Sequence, residues 1–255
     1  MIISNGFAML ELKSNVANVG GAMYPVIVWD ENDLILIDTG LPGQEESILE
    51  LIQNEGVSPD RLTKIIITHH DMDHIGSLSA IVKKVETRTH KKVEVLSHEI
   101  EKPYIQGDLM PLKFTKEKLH ELQKQMEALP PEKRAQYQSL FSGNKPAVTN
   151  TLADKQELTT CGGITVIYTP GHTTGHICLF LNKYKTLVAG DGLNFETLPK
   201  GEKKLLGPNP QYTHDMETAN KSLNKLLAYD LHKIICYHSG MIYNDVIGQL
   251  KGLLS

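Results

Sequence analysis

The densest group of metal-binding side chains in the chain is His69-His70-Asp71-Met72-Asp73-His74. His69, Asp71, Asp73 and His74 are four potential ligands in six residues, with His70 an extra imidazole among them. Gathering these groups in one loop is costly, because imidazole lone pairs must be desolvated and the carboxylates repel each other. A bound dication removes both objections. The alternative is a solvated polar loop in which Asp73 caps a following helix. Three further positions favour the metal: His172 in Thr169-Pro170-Gly171-His172, Asp191 in Gly190-Asp191-Gly192, and His238 in Tyr237-His238-Ser239-Gly240. The three cysteines, Cys161, Cys178 and Cys236, are too scattered for a disulfide framework or a zinc knuckle and read as small buried apolar side chains.

Each of these residues follows an apolar run that reads as a strand. Lys64–Thr68 precedes the first group and Ile164–Tyr168 precedes His172, while Lys233–Cys236 precedes His238. Asp191 ends a hairpin formed by Ile177–Leu181, a turn at 182–185, and Thr186–Ala189. An earlier hairpin has the same plan: Val26–Trp29, a turn at 30–33, and Leu34–Ile37 running into Asp38-Thr39-Gly40. Strand ends that each deliver a His or Asp to a small-residue turn are what a site along one sheet edge requires. Helical periodicity falls over Glu45–Glu55, Ile75–Val85 and Thr213–Ala228, the last with Leu223, Leu226 and Leu227 on one face. The alternation predicts an α/β domain spanning 1–255 and built from two similar halves.

Residues 99–150 interrupt that pattern as a helical insert. Polar helical composition rises over Lys116–Leu129, and Pro130-Pro131 breaks it into two short helices. Met110, Phe114, Met126, Tyr137 and Phe141 either pack the insert on the body or make it a lid over a substrate pocket.

At 255 residues, 40% hydrophobic and 22% charged, the chain can bury a large core. A net charge of −4 argues against a nucleic-acid partner. No apolar run approaches the roughly 20 residues of a membrane span, and the first residues lack the features of a secretory signal, so a cytoplasmic protein without a membrane partner is expected. A second copy of the chain, as a homodimer, is the macromolecular partner left open.

The motifs together resemble the metallo-β-lactamase-fold hydrolase superfamily, which includes glyoxalase II and the acyl-homoserine-lactone lactonases. The family's Thr-His-x-His-x-Asp-His-x-Gly falls on Thr68–Gly76, its Thr-Pro-Gly-His-Thr-x-Gly-His on Thr169–His176, its Gly-Asp on Gly190-Asp191, and its late His on His238. One position departs: the family's second histidine is Asp71. Either Asp71 replaces that imidazole as a ligand, or a local shift brings in His70. Because alternate side chains of an extended loop point oppositely, Asp71 shares the face of His69 and His70 turns away, to solvent or to groups behind the ligands.

The resemblance implies an αββα sandwich and two divalent metal ions. One would be held by His69, Asp71 and His172, the other by Asp73, His74 and His238, with Asp191 bridging. Zinc is the expected metal; the added carboxylate raises the prospects of manganese or iron. A metal-bridging hydroxide would attack, with Asp73 as the catalytic residue that orients it and accepts its proton. Asp38 and His176 would support ligands from behind. His98, His214 and His232 read as ordinary surface or core residues, whereas Tyr104, Asn209 and Tyr212 are candidates for the pocket mouth. The favoured substrate is a small-molecule ester, lactone or thioester. Alternatives are a phosphodiesterase or β-lactamase activity at the same site, or an iron-dependent oxidoreductase of the sulfur-dioxygenase type.

Overall fold

The computed structural model describes residues 2–4, 6–13, 21–113, 120, 124, 127 and 147–254. Seven strands form the first sheet in sequence order: β1 (Ile2–Ser4), β2 (Phe7–Met9), β5 (Val26–Trp29), β6 (Leu34–Ile37), β7 (Leu62–Ile67), β8 (Glu94–His98) and β9 (Asn150–Leu152), with β3 (Leu12–Lys13) and β4 (Ala22–Met23) as a separate ribbon. Six form the second: β10 (Glu157–Leu158), β11 (Ile164–Tyr168), β12 (Ile177–Leu181), β13 (Thr186–Val188), β16 (Lys233–Cys236) and β17 (Gly240–Ile242). A ribbon of β14 (Asn194–Thr197) and β15 (Lys203–Leu206) stands apart.

Strand periodicity sorts the apolar residues into three cores. Leu34, Leu36, Ile65 and Ile67 face one side of the first sheet, against Ile48 and Ile52 of α1 (Glu45–Asn54) and Leu78, Ile81 and Val85 of α3 (Leu78–Thr89). Their neighbours Ile35, Ile37 and Ile66 point the other way and meet Ile164, Val166, Leu179 and Ile235 of the second sheet. On that sheet's outer side Ile167, Leu187 and Ile234 pack against Leu223 of α5 (Met216–Leu223) and Val246 and Leu250 of α6 (Val246–Leu253). The result is the αββα sandwich. A one-residue slip of any central strand would exchange its two buried faces and set the wrong side-chain shapes into two close-packed cores at once, which fixes the register.

The repeated plan is present. β5 and β6 pair antiparallel and β7 joins β6 in parallel; β12 and β13 pair antiparallel and β16 joins β13 in parallel. Two helical expectations are modified. The segment expected from Ile75 to Val85 is split into α2 (Met72–Ile75) and α3 at Gly76, where an added Cβ would lie 2.3 Å from Pro42 N. The segment expected from Thr213 to Ala228 becomes α5 and then a 3-10 turn at Asn224–Ala228. Three residues per turn keep Leu223 and Leu226 buried in line and rotate Leu227 outward to 38% exposure.

Of the insert, α4 (Lys102–Gln106) is helical and Met110 is exposed. The expected helices around 116–129, the Pro130-Pro131 break, and Phe114, Met126, Tyr137 and Phe141 lie outside the described residues, apart from the isolated positions named above. No helix of the described residues is long and apolar enough to cross a membrane.

Candidate metal centre

β7 and β6 run in parallel, and β11, β13 and β16 share one direction because both β11 and β13 oppose β12 while β16 parallels β13. Chain leaving the ends of β7, β11, β13 and β16 therefore carries His69, His172, Asp191 and His238 to one place. α2 begins immediately after Asp71, so one turn of helix brings Asp73 and His74 to the same site. Asp73 thus lies inside the helix and is not its N-cap.

His69, Asp71, His172 and Asp191 form one group whose potential ligand atoms lie within 4.8 Å of one another; Asp73, His74 and His238 form a second. Asp71 Oδ2 lies 3.3 Å from His69 Nε2 and 3.1 Å from His172 Nε2. Asp191 joins the groups: Oδ2 is 3.4 Å from His172 Nε2 and 3.2 Å from His238 Nε2, and Oδ1 is 3.3 Å from His74 Nε2. His238 Nε2 is also 3.2 Å from Asp73 Oδ2. Three of these atoms, His69 Nε2, His74 Nε2 and Asp191 Oδ1, are buried without a hydrogen-bond partner. An unpaired buried polar atom costs about 1–3 kcal/mol, so three converging on one spot ask for a common partner that accepts lone pairs.

The opposite ring nitrogens of His69, His74 and His172 are spoken for. His74 Nδ1 donates to Asp38 Oδ2 at 2.9 Å, and Asp38 also accepts from Thr68 N and Thr68 Oγ1. With its hydroxyl proton committed to Asp38, Thr68 Oγ1 accepts from His69 Nδ1 at 3.0 Å. His172 Nδ1 lies 3.2 Å from Thr213 Oγ1, whose hydroxyl donates to Asn209 O. These bonds place the protons on Nδ1 and aim each Nε2 lone pair into the centre, the usual way a protein orients ligating imidazoles. Asp38 thus sits behind these imidazoles. His176 does likewise: its Nδ1 lies 2.9 Å from Thr169 Oγ1, and its Nε2 accepts the Asp191 backbone N–H at 3.2 Å.

Burial, reinforced by the neighbouring His74, pushes the His69 imidazole well below its ordinary pKa. Burial acts the same way on His74, but the carboxylates of Asp38, Asp191 and Asp73 outweigh it and hold that imidazole well above. His238 rises to about 9, since Asp191 and Asp73 likewise overcome its desolvation. Burial disfavours the Asp71 and Asp191 carboxylates, yet the surrounding imidazoles, and Lys113 beside Asp71, keep both well below the carboxylate norm. The centre concentrates negative charge: its carboxylates stay ionised and favour a cation, either a proton on His74 and His238 or a metal ion in its place.

His70 is outside it. Its side chain is buried, contacts Glu101 Oε2 through Nδ1, and stacks on Tyr104 at 4.4 Å, so the solvent-facing alternative does not hold. Three participants carried no sequence signal. Glu101, fully buried, accepts from His70 N, Thr173 Oγ1 and Gly175 N, strapping the His69 loop to the His172 loop. Tyr237 lays its ring 3.8 Å from that of His74, and its hydroxyl donates to Asp73 O. Lys113 contacts Asp71 Oδ2 and lies 2.9 Å from His172 Nε2. His98 is buried against Tyr168, while His214 and His232 are exposed; none of the three belongs to either group, although His214 N–H donates to the backbone oxygen of His172 at 3.2 Å.

A cavity of about 1180 Å³ opens onto Asp71, Asp73, Asp191 and His238, with Leu206, Met216 and Leu253 on its walls. Asn209 and Tyr212 line it, as expected; Tyr104 does not.

A protein-family model described as the metallo-beta-lactamase superfamily matches residues 24–238, and the chain belongs to that superfamily, whose members are mostly metal-dependent hydrolases. It is similar to the probable metallo-hydrolase YflN of Bacillus subtilis (strain 168), 28% identical over 264 residues that span 96% of this chain and 90% of the relative. Among solved structures it resembles the metallo-beta-lactamase family protein TTHA1429 from Thermus thermophilus, with a TM-score of 0.70 at 21% identity, covering 99% of this chain and 79% of the other. It also resembles TTHA1623, solved in a di-iron-bound form, with a TM-score of 0.59 at 19% identity and coverage of 95% and 96%.

Proposed function

We propose that the chain is a binuclear metal-dependent hydrolase of small esters, lactones or thioesters. The observation that carries the reading is the convergence of three buried, partnerless ligand atoms between two groups of His and Asp side chains. His69, Asp71 and His172 would hold one divalent ion and Asp73, His74 and His238 the other, with Asp191 shared. Two such ions would lower the pKa of a water molecule and polarise the carbonyl it attacks. Zinc suits this mixed His and Asp set; Asp71 in place of an imidazole, and a structural neighbour carrying two irons, keep iron and manganese as competitors.

The chain's own residues supply the rest. Asp73, about a quarter exposed at the cavity, can take the proton of the attacking water. Asp38 and Thr68 keep the imidazoles in one tautomer, so no reorganisation is required when charge develops. The cavity's apolar wall at Leu206, Met216 and Leu253 can receive an acyl chain and keep water from it. A small-molecule substrate met in the cytoplasm, rather than a nucleic acid or a membrane, completes the reading.

The test is metal analysis combined with a panel of lactones, thioesters, esters, β-lactams and phosphodiesters on protein reconstituted with zinc, manganese or iron. Two metals per chain and ester, lactone or thioester turnover are expected. One iron with oxygen consumption, or hydrolysis confined to phosphodiesters or β-lactams, would replace the proposal. Asp73→Asn is expected to lower kcat by ~10²–10⁴, the usual contribution of a positioned proton acceptor, with folding retained.

A further inference from the structure

The extra imidazole of His70 and the ammonium of Lys113 are not used by the reaction described above, and they are connected. Leu112 N–H donates to His70 Nε2 at 3.4 Å, while the other side of the ring faces Glu101 and its plane stacks on Tyr104. His70 therefore ties the backbone just before Lys113 to the loop that carries His69 and Asp71. From that anchor the lysine reaches inward, to Asp71 Oδ2 and to His172 Nε2 at 2.9 Å.

We propose that Lys113 is a tethered cation that competes with the metal for the His69–Asp71–His172 position, so that the two positions load in a fixed order. The proposal rests on the metal-centre reading. An ammonium bonded to Asp71 and His172 uses the lone pairs that a metal there needs, and two cations cannot share them. In the other group no described lysine or arginine plays this part: the ion-pair partners of Asp73 and of the adjoining Asp191 are histidines. The Asp73–His74–His238 position therefore fills first. The second ion enters only by expelling the Lys113 side chain, which is 22% exposed and can turn into the cavity it lines. The histidine at the position the family motif leaves free thereby acquires a role: it holds the competitor in place.

The experiment is calorimetric titration of the apo-protein with zinc against a competing chelator, for the parent chain, Lys113→Met and His238→Ala, with thermal melting to establish folding. The parent is expected to bind zinc in two steps separated at least tenfold. Lys113→Met should tighten the weaker step tenfold or more while leaving the tighter within about threefold, and His238→Ala should remove the tighter step. Lys113→Ala provides a second uncharged variant should the methionine pack into the site. Two steps unchanged in both lysine variants, or loss of the weaker step in His238→Ala, would overturn the proposal while leaving the metal centre intact. Failure of the parent to bind zinc, manganese or iron would overturn both. Ordered zinc binding without hydrolysis would support the ordering and reject only the proposed activity.

Discussion

The two hairpins of the sandwich deliver the same residue type to opposite fates. β5 and β6 end in Asp38, which is buried, adopts φ 61°, and has its carboxylate occupied by Thr68 N, Thr68 Oγ1 and His74 Nδ1. β12 and β13 end in Asp191, whose Oδ1 is buried with no partner. The difference lies in where the chain turns left-handed. In the first hairpin Asp38 itself takes the left-handed conformation. In the second, that conformation falls on Gly190 at φ 51°, where a Cβ would sit 2.7 Å from His176 Nε2, and the aspartate comes one residue later. The shift moves the carboxylate from behind the imidazoles to among them. A strand-end aspartate becomes scaffold or ligand according to whether local donors have already consumed it.

Substitutions at the two positions should separate those fates. Asp191→Ala is expected to have the largest effect: metal content falling from two ions per chain to one or none, turnover below detection, and a melting temperature near that of the parent, since the lost carboxylate was incompletely paired in the fold. Metal analysis and differential scanning calorimetry decide it; two retained metals would make Asp191 scaffold as well. Asp38→Ala, by contrast, should lower stability. It strands buried donors of Thr68 and His74 and is expected to cost about 2–4 kcal/mol by denaturant unfolding. It should weaken metal binding by ~10–100-fold, the usual effect of removing a carboxylate behind a ligating imidazole.

The sequence made the first half of this comparison legible and left the second half dark. Apolar runs such as 34–37 and 65–67 mark strands because alternate residues must satisfy two cores, and the turn that follows each run exposes its His or Asp as a group needing a partner. Which partner is found depends on contacts between distant segments. Glu101, in the run His98-Glu99-Ile100-Glu101-Lys102, reads as a solvated charge; only the meeting of the 70 and 173–175 loops buries it. Lys113 follows a proline and a leucine with no periodic pattern, so nothing local points it at Asp71. The alternation that turns His70 away from Asp71 was readable from the loop itself, whereas its destination on Glu101 was not.

The smallest effect is expected at the far ends of the same hairpins. The first turn is held by carboxylates: Asp33 Oδ1 accepts from Thr63 Oγ1 and Lys64 Nζ, its Oδ2 from Thr160 Oγ1, and Asp30 Oδ2 from Cys161 N, which joins the turn to the second sheet. The corresponding turn at 182–185 closes with Lys185 N donating to Asn182 O, and no carboxylate takes part in that bond. Burial tends to raise the Asp33 pKa, but hydrogen bonds from Lys64, Thr160 and Thr63 prevail and lower it to about 2. A carboxylate depressed in this way stabilises the fold fully above its unfolded pKa near 4, and the contribution disappears as the pH falls toward 2. The sign therefore predicts a first turn more acid-labile than the second, whose carboxylate contact, Lys185 with Asp230, is exposed to solvent. Asp33→Asn should cost about 1–2 kcal/mol at pH 7, given partial exposure of the pair, and much less at pH 2. Melting curves of both chains from pH 7 to pH 2 should converge on the acid side. Hydrogen exchange should show protection lost first at residues 30–34 and 160–161, ahead of 182–186. Equal acid sensitivity of the two turns would mean that the carboxylates hold the first hairpin no more firmly than the backbone holds the second.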